Sequence, residues 1–287
     1  MFGLSYWVLP LWSGCIWLAT LLAMLLVWVR MGEPRYREFT RNQNVPYISD
    51  IGATSWGYPT FIAGSASAIS VFTLTFVAER WLRHKGRLAK NYNVSEKILS
   101  GFATLFALIG ALGLIFLTIF DTVRYPHVHV SMLCVFIAGY IISAIFICAE
   151  YQRLGVHWRQ HRILAASFWI KLGFIIVEIA MAIAFGVEDK YGNYNTAGVL
   201  EWTISLIFIF YMLSFIIDFL PATRTRHMED RFGLPHMRGD DDEKAMQTQA
   251  SGNMMGGPVY SNGGHYGENG HQAPAQDARY NTTSRNF

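Results

Sequence analysis

Six long apolar runs constrain this chain more than any other feature: residues 8–29, 58–78, 98–120, 128–149, 163–186 and 199–220. Each has about the ~20 residues that a helix, rising roughly 1.5 Å per residue, needs to cross a bilayer's hydrocarbon core. The runs are continuous rather than alternating, so they read as membrane-buried segments and not as faces of a soluble core. Over the whole sequence 52% of residues are apolar and 15% are charged, too greasy a balance for a soluble domain of this length. The expected fold is therefore all-α, a polytopic integral membrane protein with its six transmembrane helices in one bundle over 1–220 and a tail over 221–287. The first run is too long for a signal-peptide core and lacks a basic leader and a small-residue cleavage pattern, so it reads as a retained helix.

An even number of spans puts both termini on one side of the membrane. The second loop holds Arg80, Arg83, Lys85, Arg87, Lys90 and Lys97, the fourth holds Arg153, Arg159 and Arg162, and the tail begins with Arg224, Arg226 and Arg231. By the positive-inside rule these segments, and with them both termini, are expected in the cytoplasm. The third and fifth loops carry only Arg124 and Lys190, as exported loops do; the first, with Arg30, Arg35, Arg37 and Arg41, pulls the other way. Cys15, Cys134 and Cys148 all fall inside spans, which leaves no disulfide framework for the external loops.

Small residues recur at four-residue spacing in Ala103, Ala107 and Ala111, in Gly64 and Ala68, and in Gly139 and Ser143, a pattern that lets helix backbones approach closely. After Pro221 the composition turns to Gly, Asn, Gln, Ser and His with an acidic run Asp240–Glu243, so the tail is expected to be disordered. No internal repeat, phosphate-binding glycine loop or metal-ligand cysteine pattern occurs, so neither a cofactor nor a resident metal is expected, and nothing points to nucleic acid.

An ionisable group at bilayer depth costs about 2.5 kcal/mol or more and needs a partner, a wet cavity or a function. Glu178 lies near the middle of the fifth span and reads as an inward acid, structural or functional. Lys171 shares its helix face but stands roughly 10 Å away along the axis, too far for a tight pair, and can also snorkel toward water. A second group gathers by topology at the outer face: Asp50 in the first external loop, Asp121 at the end of the third span, His127 and His129 at the start of the fourth, and Glu201 at the start of the sixth. Were the chain an enzyme, Glu178, His127, His129, Asp121 and Glu201 would be its catalytic candidates, for instance activating water on a lipid ester or amide. On a helix, however, His127 and His129 point about 200° apart and cannot share one ion. Polar groups at span ends also serve simply as interfacial anchors.

On the side expected to be cytoplasmic, residues 80–90 (RWLRHKGRLAK) form a basic cluster with Trp81 as an interfacial anchor. Arg80, Arg83, Lys85, Arg87 and Lys90 are candidates for holding anionic phospholipid headgroups, each worth roughly 1 kcal/mol near such a surface.

The loop NQNVPYISDIGATSWGYPTF (42–61) stands out as polar, aromatic and acid-bearing where a bare connection would suffice. Its PYISDIGA (46–53) and YPTFIAG (58–64), together with FDTVRYPHVH (120–129) and LEWTISLIFIFYMLSFIIDF (200–219), resemble in order the first external loop and second span, the third-to-fourth link and the last span of the Frag/DRAM/Sfk-like family of six-span proteins. The resembling motif positions are Pro46, Tyr47, Ser49, Asp50, Gly52, Asp121, His127, Glu201 and Trp202. The glycine-rich polar tail and short chain are most similar to the fungal Sfk-type branch. The chain departs from DRAM-type relatives, which tend to carry a Pro-Glu pair where it has SWGYP at 55–59. In the loop, Pro46 and Gly52 are expected to shape turns, and Asp50 to find a partner among Arg41, His127 and His129.

The resemblance implies a non-enzymatic membrane regulator or scaffold of phosphoinositide synthesis, positioning a phosphatidylinositol 4-kinase assembly and organising phospholipid at the plasma membrane. It also implies two alternatives on endomembranes of the ER, Golgi or vacuole/lysosome: a remodelling factor for GPI-anchor or ceramide lipid, and an autophagy modulator of DRAM type. Oligomeric state is left open. The orientation is testable on its own. The acceptors Asn93-Val-Ser95 and Asn281-Thr-Thr283 both fall on the cytoplasmic side, so glycosidase treatment of the protein from a eukaryotic membrane should leave its gel mobility unchanged; a glycan on Asn93 would invert the topology.

Overall fold

The computed structural model describes residues 6–36, 39, 42–88, 94–157 and 162–224, all within one compact unit, Met1–His236. Arg41, Lys90, Asn93 and the expected disorder of 225–287 lie outside the described residues. Seven helices follow in order: α1 (Val8–Arg30), α2 (Ile48–Gly52), α3 (Gly57–His84), α4 (Val94–Ile119), α5 (Pro126–His157), α6 (Arg162–Lys190) and α7 (Tyr194–Arg224). Six of them, all but the single turn α2, are long and apolar enough to cross a membrane. They satisfy their own backbone groups, as a segment in hydrocarbon must.

The helices run past the apolar runs that reveal them. α3 continues to His84 because Glu79 and Arg83, one turn apart, pair within the bundle and keep the helix going where the sequence turns polar. α7 stays helical to Arg224, beyond the expected end at 220. Its terminal carbonyls lack intrahelical donors, and Arg87 Nη2 supplies one to Ala222 O at 2.6 Å. α3 and α6 are stopped by Gly86 and Gly192, both at positive φ (72° and 82°), a left-handed step that closes the last turn through Arg87 N to Leu82 O and Asn193 N to Glu188 O.

Packing contacts join α1 to α3, α3 to α4, α4 to α5, α5 to α6, α6 to α7 and α7 back to α1, a closed ring in sequence order. Phe72 of α3 fills its middle, fully buried, with the rings of Phe76, Tyr140, Phe208, Tyr211 and Phe215 at centroid distances of 5.2 to 6.1 Å. Such mostly edge-on contacts suit the charge distribution of aromatic rings. α6 is the least enclosed member: 11% of its apolar window is buried, against 33–44% for the other five spans.

Close approach of α4 and α5 rests on small residues. A Cβ placed on Gly139 would come within 2.7 Å of the Gly110 backbone, and Ser143 Oγ donates to Ala103 O at 2.7 Å. Ala107 and Ala111 line the same buried strip. On α3, a Cβ on Gly64 would collide with the Thr20 side chain of α1, while Ser13 Oγ donates to Ala68 O at 2.8 Å. Without a hydrophobic drive between helices in lipid, this dense backbone contact supplies the adhesion. Gly139→Val should separate α4 from α5 and destabilise the detergent-solubilised protein by about 1–3 kcal/mol. A lowered midpoint in thermal unfolding would register it.

Candidate functional site

Because successive spans run antiparallel, the two ends of the bundle carry different chemistry. The start of α1, the end of α7 and the helix ends on either side of the α3–α4 and α5–α6 links share one end, here the tail end; the 31–56 segment, the α4–α5 link and the α6–α7 link share the other, the loop end.

At the loop end the 42–56 segment folds over the bundle instead of merely crossing it. Asp50 closes the α2 turn by accepting Tyr47 N–H at 2.9 Å, and Gln43 Nε2 donates to the same Oδ2 at 3.4 Å. Every residue of α2 is buried. Glu201 on α7 takes Ile48 N–H at 2.8 Å, and Trp202 Nε1 donates to Pro46 O at 2.9 Å. Asn195 Oδ1 accepts both Asn44 N–H and Val45 N–H, at 2.7 and 3.0 Å, while its Nδ2 donates to Asn42 O at 2.8 Å. Tyr47 Oη reaches Asp189 of α6 at 2.8 Å. Burial and that carboxylate hold its phenol well above the usual range, so it remains a donor.

Asp50 takes Gln43 and Tyr47 of its own segment as hydrogen-bond partners, while Arg41, one of the partners expected for it, lies outside the described residues. Gly52 also has another reason than a turn. It is the last residue of α2, not at positive φ, and a Cβ there would stand 2.5 Å from the Phe61 ring. Ser49 is buried in the same turn.

Asp121 organises a separate corner between α4 and α5. Its Oδ1 accepts Val123 N–H and Arg124 N–H at 3.0 and 2.6 Å, and Arg124 Nε approaches Oδ2 at 3.4 Å. His129 is buried and its Nδ1 donates to Phe120 O at 2.8 Å, whereas His127 faces outward. The two histidines therefore diverge, as their spacing demands. Among the described residues no cluster of three or more His, Cys, Asp or Glu side chains could hold a metal. Glu178 stands apart from all of these, on the wall of a cleft between α5, α6 and α7.

The tail end holds a buried charge network. Lys171 of α6 is 1% exposed and does not snorkel: its Nζ donates to Asp218 Oδ2 of α7 at 2.6 Å and to Ser167 Oγ at 2.7 Å. Ser167 in turn donates to Asp218 Oδ1. The ammonium lies 4.3 Å from the centroid of Phe215 and 5.2 Å from that of Tyr151, a favourable seat for a desolvated cation. Tyr151 of α5 passes the network on, donating to Glu79 Oε1 of α3 at 2.7 Å; the same oxygen accepts Arg83 Nη2 at 2.6 Å. Arg83 Nε also lies 3.8 Å from Glu150 Oε1 of α5. Four helices are cross-tied by these groups.

This placement separates the four described members of the basic cluster, Arg80, Arg83, Lys85 and Arg87. Arg83, 6% exposed, points into the bundle, and Arg87 binds the α7 terminus. Arg80 and Lys85 remain exposed, Lys85 lying over Trp81 at 4.9 Å from its ring centroid. Sequence reasoning passed over Glu79, Glu150, Tyr151 and Asp218; the four-residue spacing of Glu79 and Arg83, an intrahelical pairing distance, was the available signal for the first of these four.

Residues 5–222 match the Frag1/DRAM/Sfk1/Cwh43P N-terminal domain. The chain is 28% identical over 222 residues to protein sfk1 of Schizosaccharomyces pombe, covering 77% of this chain and 65% of that protein. It is 29% identical over 177 residues to protein SFK1 of Saccharomyces cerevisiae, covering 52% of this chain and 50% of that one. It thus spans about half to just under two thirds of these fungal relatives. A DNA damage-regulated autophagy modulator protein 1 of Mus musculus is 23% identical over 200 residues, 63% of this chain and 80% of the mouse protein. No solved structure matches the chain.

Removing one member of a buried ion pair strands the other, at about 3–5 kcal/mol, whereas replacing both by apolar groups does not. Lys171→Leu and Asp218→Leu should each lower stability by that order in a detergent melt. The double substitution should recover at least half of either loss. Simple addition of the two losses would mean that the pair does not act as a unit.

Proposed function

The chain belongs to the Frag1/DRAM/Sfk1/Cwh43P family, and from that premise we propose that it is a non-enzymatic regulator of phosphoinositide synthesis and phospholipid organisation, acting as a scaffold that positions a phosphatidylinositol 4-kinase assembly at the plasma membrane. The observation that carries this reading is how the acids and bases are spent. Asp50, Glu201 and Asp121 hold backbone N–H groups, and Lys171, Asp218, Glu79 and Arg83 hold one another. A catalyst keeps a base or nucleophile facing a space where substrate can sit; these groups are committed to holding the fold, and Glu178, on the wall of the α5–α6–α7 cleft, stands outside this set.

Among the described members of the basic cluster, the exposed ones are Lys85 and Arg80, whose Nη1 also donates to Lys97 O at 3.2 Å, and beside them the indole of Trp81 is 54% exposed. This combination suits an anionic membrane surface and an acidic peripheral protein on it. In this reading the kinase assembly is that partner. Both termini are cytoplasmic in this reading.

Arg80→Gln with Lys85→Gln removes the two exposed charges of this cluster and leaves the buried network intact. In cells relying on this copy, kinase at the plasma membrane and phosphatidylinositol 4-phosphate should fall severalfold while the protein's own amount and thermal stability hold. Unaltered kinase position and lipid level in the double variant would sink the proposal. Arg83 is unsuited to that experiment, because its loss would strand Glu79.

A further inference from the structure

Between α5, α6 and α7 lies a cleft of about 80 Å³, with Trp17 of α1 also on its wall. Its walls are largely aromatic, from Phe136, Tyr140, Phe174, Phe208 and Tyr211. Glu178 is the one ionisable acid among them, and its Oε1 is buried without a hydrogen-bond partner. The hydroxyl of Tyr211, on the same wall, is likewise buried and unpartnered. Trp17 offers no help, since its Nε1 already donates to Ser205 O at 3.2 Å.

The cleft is open at the side. Ile137 and Ile141 on α5 and Phe174, Glu178 and Ala182 on α6 are each only partly buried, so the gap between these two helices faces the bilayer. This is the flank where α6, the least enclosed helix, leaves the ring loosest. Glu178 sits near the middle of the apolar segment Ala165–Lys190, roughly 18 Å along the axis from either end.

We propose that this cleft is a binding site for a neutral membrane lipid carrying a single free hydroxyl, which enters sideways from the bilayer and hydrogen-bonds to Glu178. Three observations select that class. An unsatisfied buried carboxyl oxygen calls for a polar atom on the occupant. The depth excludes a charged or zwitterionic headgroup, whose transfer to mid-membrane is far costlier than that of one hydroxyl. The apolar, partly aromatic walls suit a stretch of hydrocarbon chain rather than a phosphorylated group. The site is independent of the tail-end basic residues, and it assigns Glu178 a positioning role toward a ligand without any bond being made or broken.

The experiment uses the full chain in phosphatidylcholine nanodiscs with two diazirine probes, a long-chain primary alcohol and the matching hydrocarbon that lacks the hydroxyl. After illumination, labelled residues are mapped by mass spectrometry. The alcohol should label the peptides that carry Ile137, Ile141 and Ala182, about tenfold more than the hydrocarbon does, the difference that one buried hydrogen bond makes. Glu178→Leu should bring the two probes to equal labelling. Ala182→Phe, which narrows the mouth at a half-buried position, should suppress both. Thermal melts of the two variants check that the bundle is intact. Equal labelling by both probes in the wild-type protein, label spread over the outer faces of all spans, or an alcohol preference that survives Glu178→Leu would each overturn the assignment, the first two leaving the cleft as a watery or greasy defect only. Protein cross-linked to a second copy through α6 in place of lipid labelling would also overturn it.

Discussion

Lys171 and Asp218 meet at 2.6 Å in a place where neither has access to water, one on α6 and the other on α7. A charge at such a depth is tolerated only when its partner is held in register, because the cost of losing the partner exceeds what the pair contributes. The register must be fixed by something else, and Phe215, Tyr151 and Ser167 do it by packing around the ammonium and sharing the carboxylate. Tyr151 then binds the pair to Glu79 and Arg83, so α3, α5, α6 and α7 meet at one set of oxygens and nitrogens. Helix adhesion by small residues is non-directional along a face. The charge network gives it an address, since a one-turn slip of α6 against α7 would leave both ions unpaired.

The opposite end is held by a different logic. There the carboxylates answer to backbone N–H groups of a non-helical segment, with Asp50 closing the α2 turn and Glu201 anchoring it to α7. Trp202 and Asn195 add further ties to carbonyls and amides that would otherwise lie unsatisfied near hydrocarbon. The polar segment 42–56 is thereby made compatible with the rim of a membrane bundle: its backbone partners are supplied by the helices beneath it. Between two firmly tied ends, the middle of the α5–α6 flank is where packing is loosest.

The spans themselves were legible because apolar runs of membrane length have few other solutions. The network was not. Asp218 stands three residues before Pro221 and reads as a span-end acid, while Arg83 sits among six basic residues that the positive-inside rule already accounts for. Linear sequence places charge by depth; it does not say which face of a helix the side chain leaves from, and burial here is decided by face. Lys171 was visible as an anomaly, yet its partner lies 47 residues away on another helix. Glu178 shared its face and drew attention as the nearer acid in sequence. In the loop the motif residues were identifiable by resemblance, but their joint task was not, since Pro46 and Trp202 are joined only once α7 folds back beneath the segment.

The ring of helices in chain order has a consequence in time. Each helix from α3 to α7 packs against its immediate predecessor, so a bundle emerging from the ribosome can add members one by one, each finding its neighbour already in place. α1 is the exception: apart from α2 and α3 it packs against α7, the last to arrive, through Trp17 on Ser205 and Ser13 on Met212. Until then the first helix shows an open seam to the lipid, with an indole N–H lacking its final acceptor. The interval between synthesis of the first and sixth spans is thus a window of vulnerability, in which a membrane chaperone or a quality-control protease can tell an unfinished chain from a closed one.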